Sequence, residues 1–261
     1  MSNTYKDKKE FSAYERIKVP VNTSICVVGD MHEHSEQFFK LIHEYKPNES
    51  RWLVSLGDVY DKGYGEKAAN DITDELKHLQ KDGICFAVRG NHEIKRIKTA
   101  KKSKDKLSPQ MKWWTRQPLV ITFEFPRGNL VTVLHAGVTP KMTEFSLRAD
   151  IEVVYVRDVD DSGKMIPLIW KVNEEGEKVL VKAREGGSSW HDVYDGRFGY
   201  IVSGHVAQKD GVPKFYNYSC NIDTGVYDSG ILTGQVFSPD GKRDRLITVT
   251  GVPFKPRIAG E

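Results

Sequence analysis

A short apolar run followed by a cluster of glycine and polar residues occurs three times in the first 95 residues, and amphipathic segments separate the runs. The runs span residues 25–28, 52–56 and 84–88. Between them, apolar side chains recur at helical spacing, for example from Phe38 to Tyr45 and from Ala69 to Leu79. This order of strand, helix, strand, helix and strand predicts an α/β sheet with parallel pairing through right-handed crossovers. Because open α/β sheets place their sites at the carboxyl ends of the strands, the three polar clusters are expected to lie together.

The pattern changes after residue 118 to apolar runs joined by turn residues. Two hairpins are predicted, at residues 119–135 and 166–183, and a third series of strands extends from 215 to 250. The second half is therefore expected to be mainly antiparallel. We expect a single domain over residues 1–261, with a core at about 21–250, a hairpin insert at about 155–185 and tails or sheet edges at both ends.

Composition bears on the cellular location of the protein and on its partners. The three cysteines are Cys26, Cys85 and Cys220, and two of them lie inside apolar runs, so reduced thiols and a cytoplasmic location are expected. The amino-terminal residues lack the apolar core of a signal peptide, and no run approaches the roughly 20 apolar residues of a membrane span, so no membrane association is expected. A net charge of +3 says little about partners, but Lys95–Lys106 holds seven basic residues against Asp105 alone.

Five polar clusters each follow an apolar run. They are GDMH at 29–32, GDVYDKG at 57–63, GNHE at 90–93, HAG at 135–137 and GH at 204–205. Aspartate and histidine two residues apart on an extended segment point to the same side and can face one metal ion. Carboxylate, imidazole and amide donors suit manganese, iron or zinc, and the absence of clustered cysteines argues against a structural zinc site.

These clusters, in this order over residues 24–235, resemble the calcineurin-like metallophosphoesterases, in particular the phosphoprotein phosphatase branch. VVGDMH, SLGDVYDKG and AVRGNHE are most similar to the small phage-encoded and bacterial phosphatases, which include lambda-type protein phosphatases, diadenosine tetraphosphate hydrolases and bacterial polynucleotide phosphatases. NIDTG at 221–225 resembles a carboxyl-terminal signature of the last two groups. The resemblance implies an α/β sandwich of two mixed β-sheets flanked by helices.

The resemblance also implies a site with two divalent metal ions, with manganese expected first and iron, zinc or nickel as alternatives. The residues that it implies as metal ligands are Asp30 and His32 for the first ion, Asn91, His135 and His205 for the second, and Asp58 as the bridge. A metal-bound hydroxide would then attack the phosphorus atom of a phosphate monoester. His92 is implied as the acid that protonates the leaving oxygen, with Asp61 orienting it, and Asp223 either supports a ligand or stabilises a turn.

Two positions depart from the family pattern. Lys62 stands where the family has an arginine that grips the phosphate, and a lysine lacks the two-pronged geometry of a guanidinium group. Arg157 is the first candidate to supply that grip, ahead of Arg184 and Arg89. Glu33 stands where the family has glycine, and we expect its carboxylate to point to solvent rather than toward the metals.

Three functions remain open at this stage. The first is a serine/threonine-type protein phosphatase, and the second is a hydrolase of nucleotides or nucleic-acid ends, such as a dinucleoside polyphosphate hydrolase or a polynucleotide phosphatase. The partner is then a phosphorylated protein, nucleotide or nucleic-acid end, and the oligomeric state stays open. The third is an inactive binding module, which would require a missing ligand residue, and none is missing. Trp113 and Trp114 are expected to pack beneath a loop rather than to stack on a substrate.

Overall fold

The computed structural model of the protein describes residues 13–145, 150–173 and 176–254. Two mixed β-sheets face each other. In spatial order, the five-stranded sheet contains β15 (Arg243–Thr250), β14 (Ile231–Phe237), β2 (Ser24–Val28), β3 (Arg51–Ser55) and β4 (Cys85–Ala87). The six-stranded sheet contains β1 (Tyr14–Lys18), β5 (Val120–Glu124), β6 (Leu130–Leu134), β11 (Tyr200–Ser203), β13 (Ser219–Asn221) and β12 (Lys214–Phe215).

Seven helices and two small sheets complete the described part of the chain. The helices are α1 (Ser35–Tyr45), α2 (Glu66–Lys81), α3 (Asn91–Ser103), α4 (Pro109–Trp114), α5 (Asp150–Tyr155), α6 (Trp190–Val193) and α7 (Val226–Ser229). The small sheets pair β7 (Asp158–Val159) with β10 (Ser188–Ser189) and β8 (Leu168–Val172) with β9 (Lys178–Lys182). The hairpin predicted at residues 166–183 is therefore present as β8–β9. In the described residues no helix is both long enough and apolar enough to cross a membrane.

Alternation along the central strands explains the layers. On β2, Ile25 and Val27 pack against the six-stranded sheet, in a buried cluster that includes Phe123 and Val131. Cys26 and Val28 point the other way and pack against the outer helices in a second buried cluster. Successive side chains of a strand face opposite sides, so a strand that is apolar at every position is buried on both faces. The sandwich with flanking helices that the sequence predicts is confirmed.

Strand pairing agrees with the prediction in both halves of the chain, with β11 as the main exception. β2, β3 and β4 are parallel, while β5–β6, β8–β9 and β14–β15 are antiparallel hairpins. β7–β10 and β12–β13 are antiparallel as well, so the mainly antiparallel second half is confirmed, although β11 pairs in parallel with both β6 and β13, and β1 pairs in parallel with β5. The long connection between β6 and β11 brings the chain back to the same end of the sheet, which short-range periodicity cannot reveal.

The cysteines behave as expected, and the paired tryptophans are packed into the protein in a different place from the one expected. Cys26, Cys85 and Cys220 are buried thiols without a disulfide partner. The indole of Trp114 is buried and donates to Thr73, and that of Trp113 donates to Gln80 on α2. The two tryptophans therefore pack against helix α2 and not beneath a loop, because their indole N–H groups find acceptors on that helix.

Candidate metal centre

Five strand ends bring the predicted ligand residues to one edge of the sandwich. Asp30 and His32 follow β2, Asp58 follows β3, and Asn91 is the first residue of α3 after β4. His135 follows β6 and His205 follows β11. Because β2, β3 and β4 run in the same direction, and β6 and β11 do likewise, each sheet delivers its polar clusters to a single edge.

The carboxylate of Asp58 lies at the centre of the cluster. Its Oδ2 atom is 3.3 Å from Nε2 of His135, 3.9 Å from Nε2 of His32 and 3.8 Å from Nε2 of His92. Two sets of side chains have donor atoms that all lie within 4.8 Å of one another: His32 with Asp58 and His92, and Asp58 with His135 and His205. Asp58 belongs to both sets, so the clusters share one carboxylate.

The remaining ligand candidates close the site from the other side. Oδ1 of Asn91 is 2.9 Å from Nε2 of His135 and 2.8 Å from Nδ1 of His205. Oδ2 of Asp30 accepts the backbone N–H of His205, whereas its buried Oδ1 has no hydrogen-bond partner among the described residues. A buried carboxylate oxygen without a donor is costly unless a cation faces it. The donor set and this orphaned atom therefore fit divalent metal ions.

The pKa values in the cluster show the same excess of negative charge. Burial raises the pKa of Asp30 well above its usual range, and the nearby carboxylates of Asp223 and Asp58 add to that effect. Burial also disfavours the charged form of His135, yet Asp58 and Asp30 raise the pKa of His135 to about 10. The carboxylates thus favour a positive charge at this position.

Backbone conformations at the site are strained. His32, Asp58 and His205 have φ angles of 39°, 47° and 68°, in the left-handed region that side chains other than glycine seldom adopt. Such conformations cost about 1–3 kcal/mol each and collect at functional sites, where the surrounding fold enforces them. A Cβ atom at Gly90 or Gly204 would overlap the carboxylates of Asp58 and Asp30, so these two positions require glycine.

A cavity of about 510 Å³ opens directly on this cluster. Asp58, Asn91, His92 and His205 form its polar end. Its apolar wall includes Leu168, Trp170 and Leu180 of the β8–β9 hairpin. The same cavity therefore exposes the candidate metal site and an apolar surface.

Comparison with known proteins agrees with this architecture. Residues 23–209 match the family model described as calcineurin-like phosphoesterase. The chain belongs to the calcineurin-like phosphoesterase family. Members of this family are hydrolases, and the family typically binds two divalent metal ions.

Individual relatives of this phosphoesterase are distant. It is 22% identical to the serine/threonine-protein phosphatase PP2A-like PPG1 of Saccharomyces cerevisiae over 86% of this chain, and it spans 64% of the yeast protein's length. A solved structure of a candidate diadenosine tetraphosphatase is 23% identical, with a TM-score of 0.62 and coverage of 91% of this chain and 98% of that one. A protein serine/threonine phosphatase from Saccharomyces cerevisiae, similar to human phosphatase PP5, is 17% identical, with a TM-score of 0.56 and coverage of 95% and 86%. At these identities the structures show a shared fold.

His92 and Asp61 lie beside the cluster and contact each other. Nδ1 of His92 is 2.8 Å from Oδ2 of Asp61, and Nε2 of His92 points toward Asp58. The hydrogen bond with His92 and the adjacent Arg96 hold the pKa of Asp61 below its usual range. Asp61 is therefore ionised and can keep His92 in one orientation.

Arg96 is a contributor that the sequence analysis missed. We grouped it with the basic run, but its Nε donates to Oδ1 of Asp61 at 2.9 Å, and its guanidinium lies 4.8 Å from the ring centroid of Tyr60. The sequence feature that could have identified Arg96 is its position four residues after His92 in a helix, because this spacing places both side chains on one face. The neighbouring lysines Lys95, Lys98, Lys101 and Lys102 are exposed on α3.

The expectation that Glu33 points to solvent was wrong. Its side chain is buried, and its carboxylate accepts the backbone N–H groups of Asp61, Gly63 and Gly65 at 2.9, 3.0 and 2.9 Å. Asp61 and Lys62 both have positive φ, so the loop turns its N–H groups inward, where an acceptor is required. Glu33 therefore stabilises the loop that presents Asp61 and Lys62.

The basic groups proposed to hold phosphate separate into two sets. Lys62 and Arg157 line the cavity, and Nε of Arg157 lies 3.2 Å from Nε2 of His205. Arg184 instead pairs with Asp160 at 2.6 Å, and neither Arg184 nor Arg89 lines the cavity. Asp223 is buried and accepts the N–H of Gly225, a contact that fits the expected role in stabilising a turn. Burial and the nearby Asp58 raise the pKa of Asp223.

Proposed function

We propose that this phosphoesterase hydrolyses phosphate monoesters with two divalent metal ions, manganese first among them. Asp30 and His32 would hold one ion, Asn91, His135 and His205 the other, and Asp58 would bridge them. The observation that supports this most directly is that the carboxylate of Asp58 belongs to both groups of converging donor atoms. Bound there, the two ions would offset phosphate charge and lower the pKa of a water molecule enough for it to attack at neutral pH.

The residues of the chain then have separate tasks. Lys62 and Arg157 line the polar end of the cavity, where two cationic side chains can hold the phosphate oxygens. His92 gives its Nε2 proton to the departing oxygen as the phosphorus–oxygen bond breaks. The hydrogen bond from Nδ1 of His92 to ionised Asp61 supports this role, because it orients the ring so that Nε2 faces the site.

An alternative role for His92 is metal ligation, since its donor atom also lies within 4.8 Å of those of His32 and Asp58. The two roles predict different results for His92→Ala. As the acid, His92 matters most for a poor leaving group, so the variant loses much more activity on an alkyl phosphate than on p-nitrophenyl phosphate, while metal content is unchanged. Equal losses on both esters, together with reduced metal content, would assign His92 to the metal site instead.

The proposed reaction itself is tested with p-nitrophenyl phosphate and added Mn²⁺. We expect hydrolysis that a chelator abolishes and that Asp58→Asn lowers by several orders of magnitude, because the change weakens the bridge between the ions. The matched control is Asp71→Asn, an exposed aspartate on α2 that pairs with Lys67, and it should behave like the wild type. Activity that survives both the chelator and Asp58→Asn would refute the proposal.

Two substrate classes have support. Phosphoserine and phosphothreonine proteins are the first candidates from the sequence motifs, and the yeast relative is named as a protein phosphatase of this type. Nucleotides and nucleic-acid ends are the second candidates, and the apolar wall with Trp170 beside the candidate metal site favours them. We also propose that the protein is a single domain. A cytoplasmic location is proposed as well, and the three buried cysteines without disulfides support it.

A further inference from the structure

The β8–β9 hairpin has one face turned to the cavity. Residues directly opposite each other in an antiparallel pair share a face, and Trp170 is paired with Leu180 while Leu168 is paired with Lys182. Leu168, Trp170 and Leu180 all line the cavity, whereas Ile169, between the first two, does not. The apolar wall is therefore one face of the hairpin.

Trp170 is the main feature of this wall. Its side chain is 68% exposed, although tryptophan is among the costliest residues to leave in water. Leu180 lies directly opposite it on the neighbouring strand, within reach of the indole. An exposed indole beside a reaction site is a ready surface for a flat ring to stack upon.

The surrounding charges suggest what else the occupant carries. Lys62 and Arg157 lie in the same cavity as Trp170, near the candidate metal site. A second hollow of about 430 Å³ adjoins Trp170 and is lined by Lys171, Val172 and Lys178. The indole thus lies between two regions with basic side chains, which suits a ring attached to phosphate at the reacting end and, in longer substrates, to a further anionic group.

A nucleotide fits this arrangement better than a peptide. An extended peptide gains affinity by pairing its backbone with a strand edge, but here a strand face lines the cavity and offers side chains only. The cavity volume of about 510 Å³ is also that of a small-molecule site, for which roughly 300–1,000 Å³ is typical.

We propose that the face of Leu168, Trp170 and Leu180 is a nucleobase subsite, so that the substrate is a nucleotide or a nucleic-acid end whose base stacks on Trp170 while its phosphate reaches the metal centre. This inference rests on the proposed phosphomonoesterase function for the ester that is cleaved. The binding of the base itself does not depend on catalysis.

The test compares two esters that differ only in the base, adenosine 5′-monophosphate and ribose 5-phosphate. The wild type should favour the nucleotide in kcat/KM, and Trp170→Ala should reduce that preference roughly 5- to 150-fold, since stacking on an aromatic side chain contributes about 1–3 kcal/mol per base. Trp170→Phe should fall between the two. Ile169→Ala, on the opposite face of the same strand, is the matched control and should retain the wild-type preference.

Adenosine binding, measured by calorimetry on the metal-free protein, separates the two proposals. Binding that Trp170→Ala abolishes supports the subsite even if no ester is hydrolysed, and that combination would refute the phosphatase proposal alone. Hydrolysis of both sugar phosphates with no preference, and no adenosine binding, would overturn the subsite alone. A phosphoserine peptide with a neighbouring phenylalanine is the third substrate, and a larger effect of Trp170→Ala on that peptide than on the nucleotide would also overturn the nucleobase proposal.

Discussion

Glu33→Gln removes one charge from a buried side chain without changing its size. The carboxylate accepts three backbone N–H groups, two at Oε2 from Gly63 and Gly65 and one at Oε1 from Asp61. Glutamine retains a single acceptor oxygen. If that oxygen takes the place of Oε2, the amide nitrogen faces the N–H of Asp61, and a donor meets a donor.

The structure gives the size of the effect. A hydrogen bond to a charged group contributes about 1.5–3 kcal/mol, and leaving a buried donor unsatisfied costs about 1–3 kcal/mol. We therefore expect Glu33→Gln to lower the free energy of unfolding by about 3 kcal/mol. For a chain of this size, each kcal/mol lowers the melting temperature by roughly 2–4 °C, so the loss should be about 6–12 °C.

Thermal unfolding followed by circular dichroism measures this difference. Glu36→Gln is the matched control, because Glu36 is exposed on α1 and pairs with Lys40 across one helical turn. Exposed pairs of this kind contribute about 0.3–0.5 kcal/mol, so the control should unfold close to the wild-type temperature. Equal melting temperatures for the two variants would show that Glu33 does not stabilise the loop of Asp61 and Lys62.

Three further predictions concern Arg96, His191 and the exposed lysines of the basic run. Arg96→Met should lower kcat on an alkyl phosphate roughly 10- to 100-fold and affect p-nitrophenyl phosphate less, because Arg96 acts through Asp61 on His92; equal effects on both esters would contradict this. Burial lowers the pKa of His191 to about 3. Below about pH 6.5 the unfolded chain therefore takes up a proton at this histidine, whereas the folded chain does not until the pH approaches 3. The stability that neutral His191 contributes is thus fully present above pH 6.5 and falls as the pH drops toward 3. In His191→Phe the phenylalanine can still stack on Trp190 and Tyr216. Between pH 7 and pH 5 this variant should lose about 2 kcal/mol less stability than the wild type, as measured by urea unfolding. An unchanged pH profile would contradict this. Serine substitution of four exposed lysines should raise KM for an oligonucleotide and flatten its dependence on salt, with little change for p-nitrophenyl phosphate, and unchanged constants would make the run a solubility feature. These lysines are Lys98, Lys101, Lys102 and Lys104.

Much of the fold and the site could be predicted from local patterns. The runs that became β2, β3 and β4 are apolar on both faces, and their polar clusters lie at one edge because parallel strands end on the same side. The parallel pairing of β11 could not be predicted, because the partners of a strand depend on where a long connection returns. The same applies to Glu33, whose environment is created by the inward N–H groups of a loop 28 to 32 residues away. Trp170 carried no motif, and its proximity to the candidate metal site appears only once the hairpin is placed over the cavity.

The number of metal ions held by each chain tests the central claim most directly. In the proposed site Asp58 bridges both ions, so the two ions should depend on one another for binding. Equilibrium dialysis against Mn²⁺, with elemental analysis of the protein, should give two ions per chain in the wild type. Asp58→Asn should hold no more than one ion at the same free concentration and should lose hydrolysis in parallel. A single bound ion in the active wild type, or two ions and full activity in Asp58→Asn, would contradict the two-metal account.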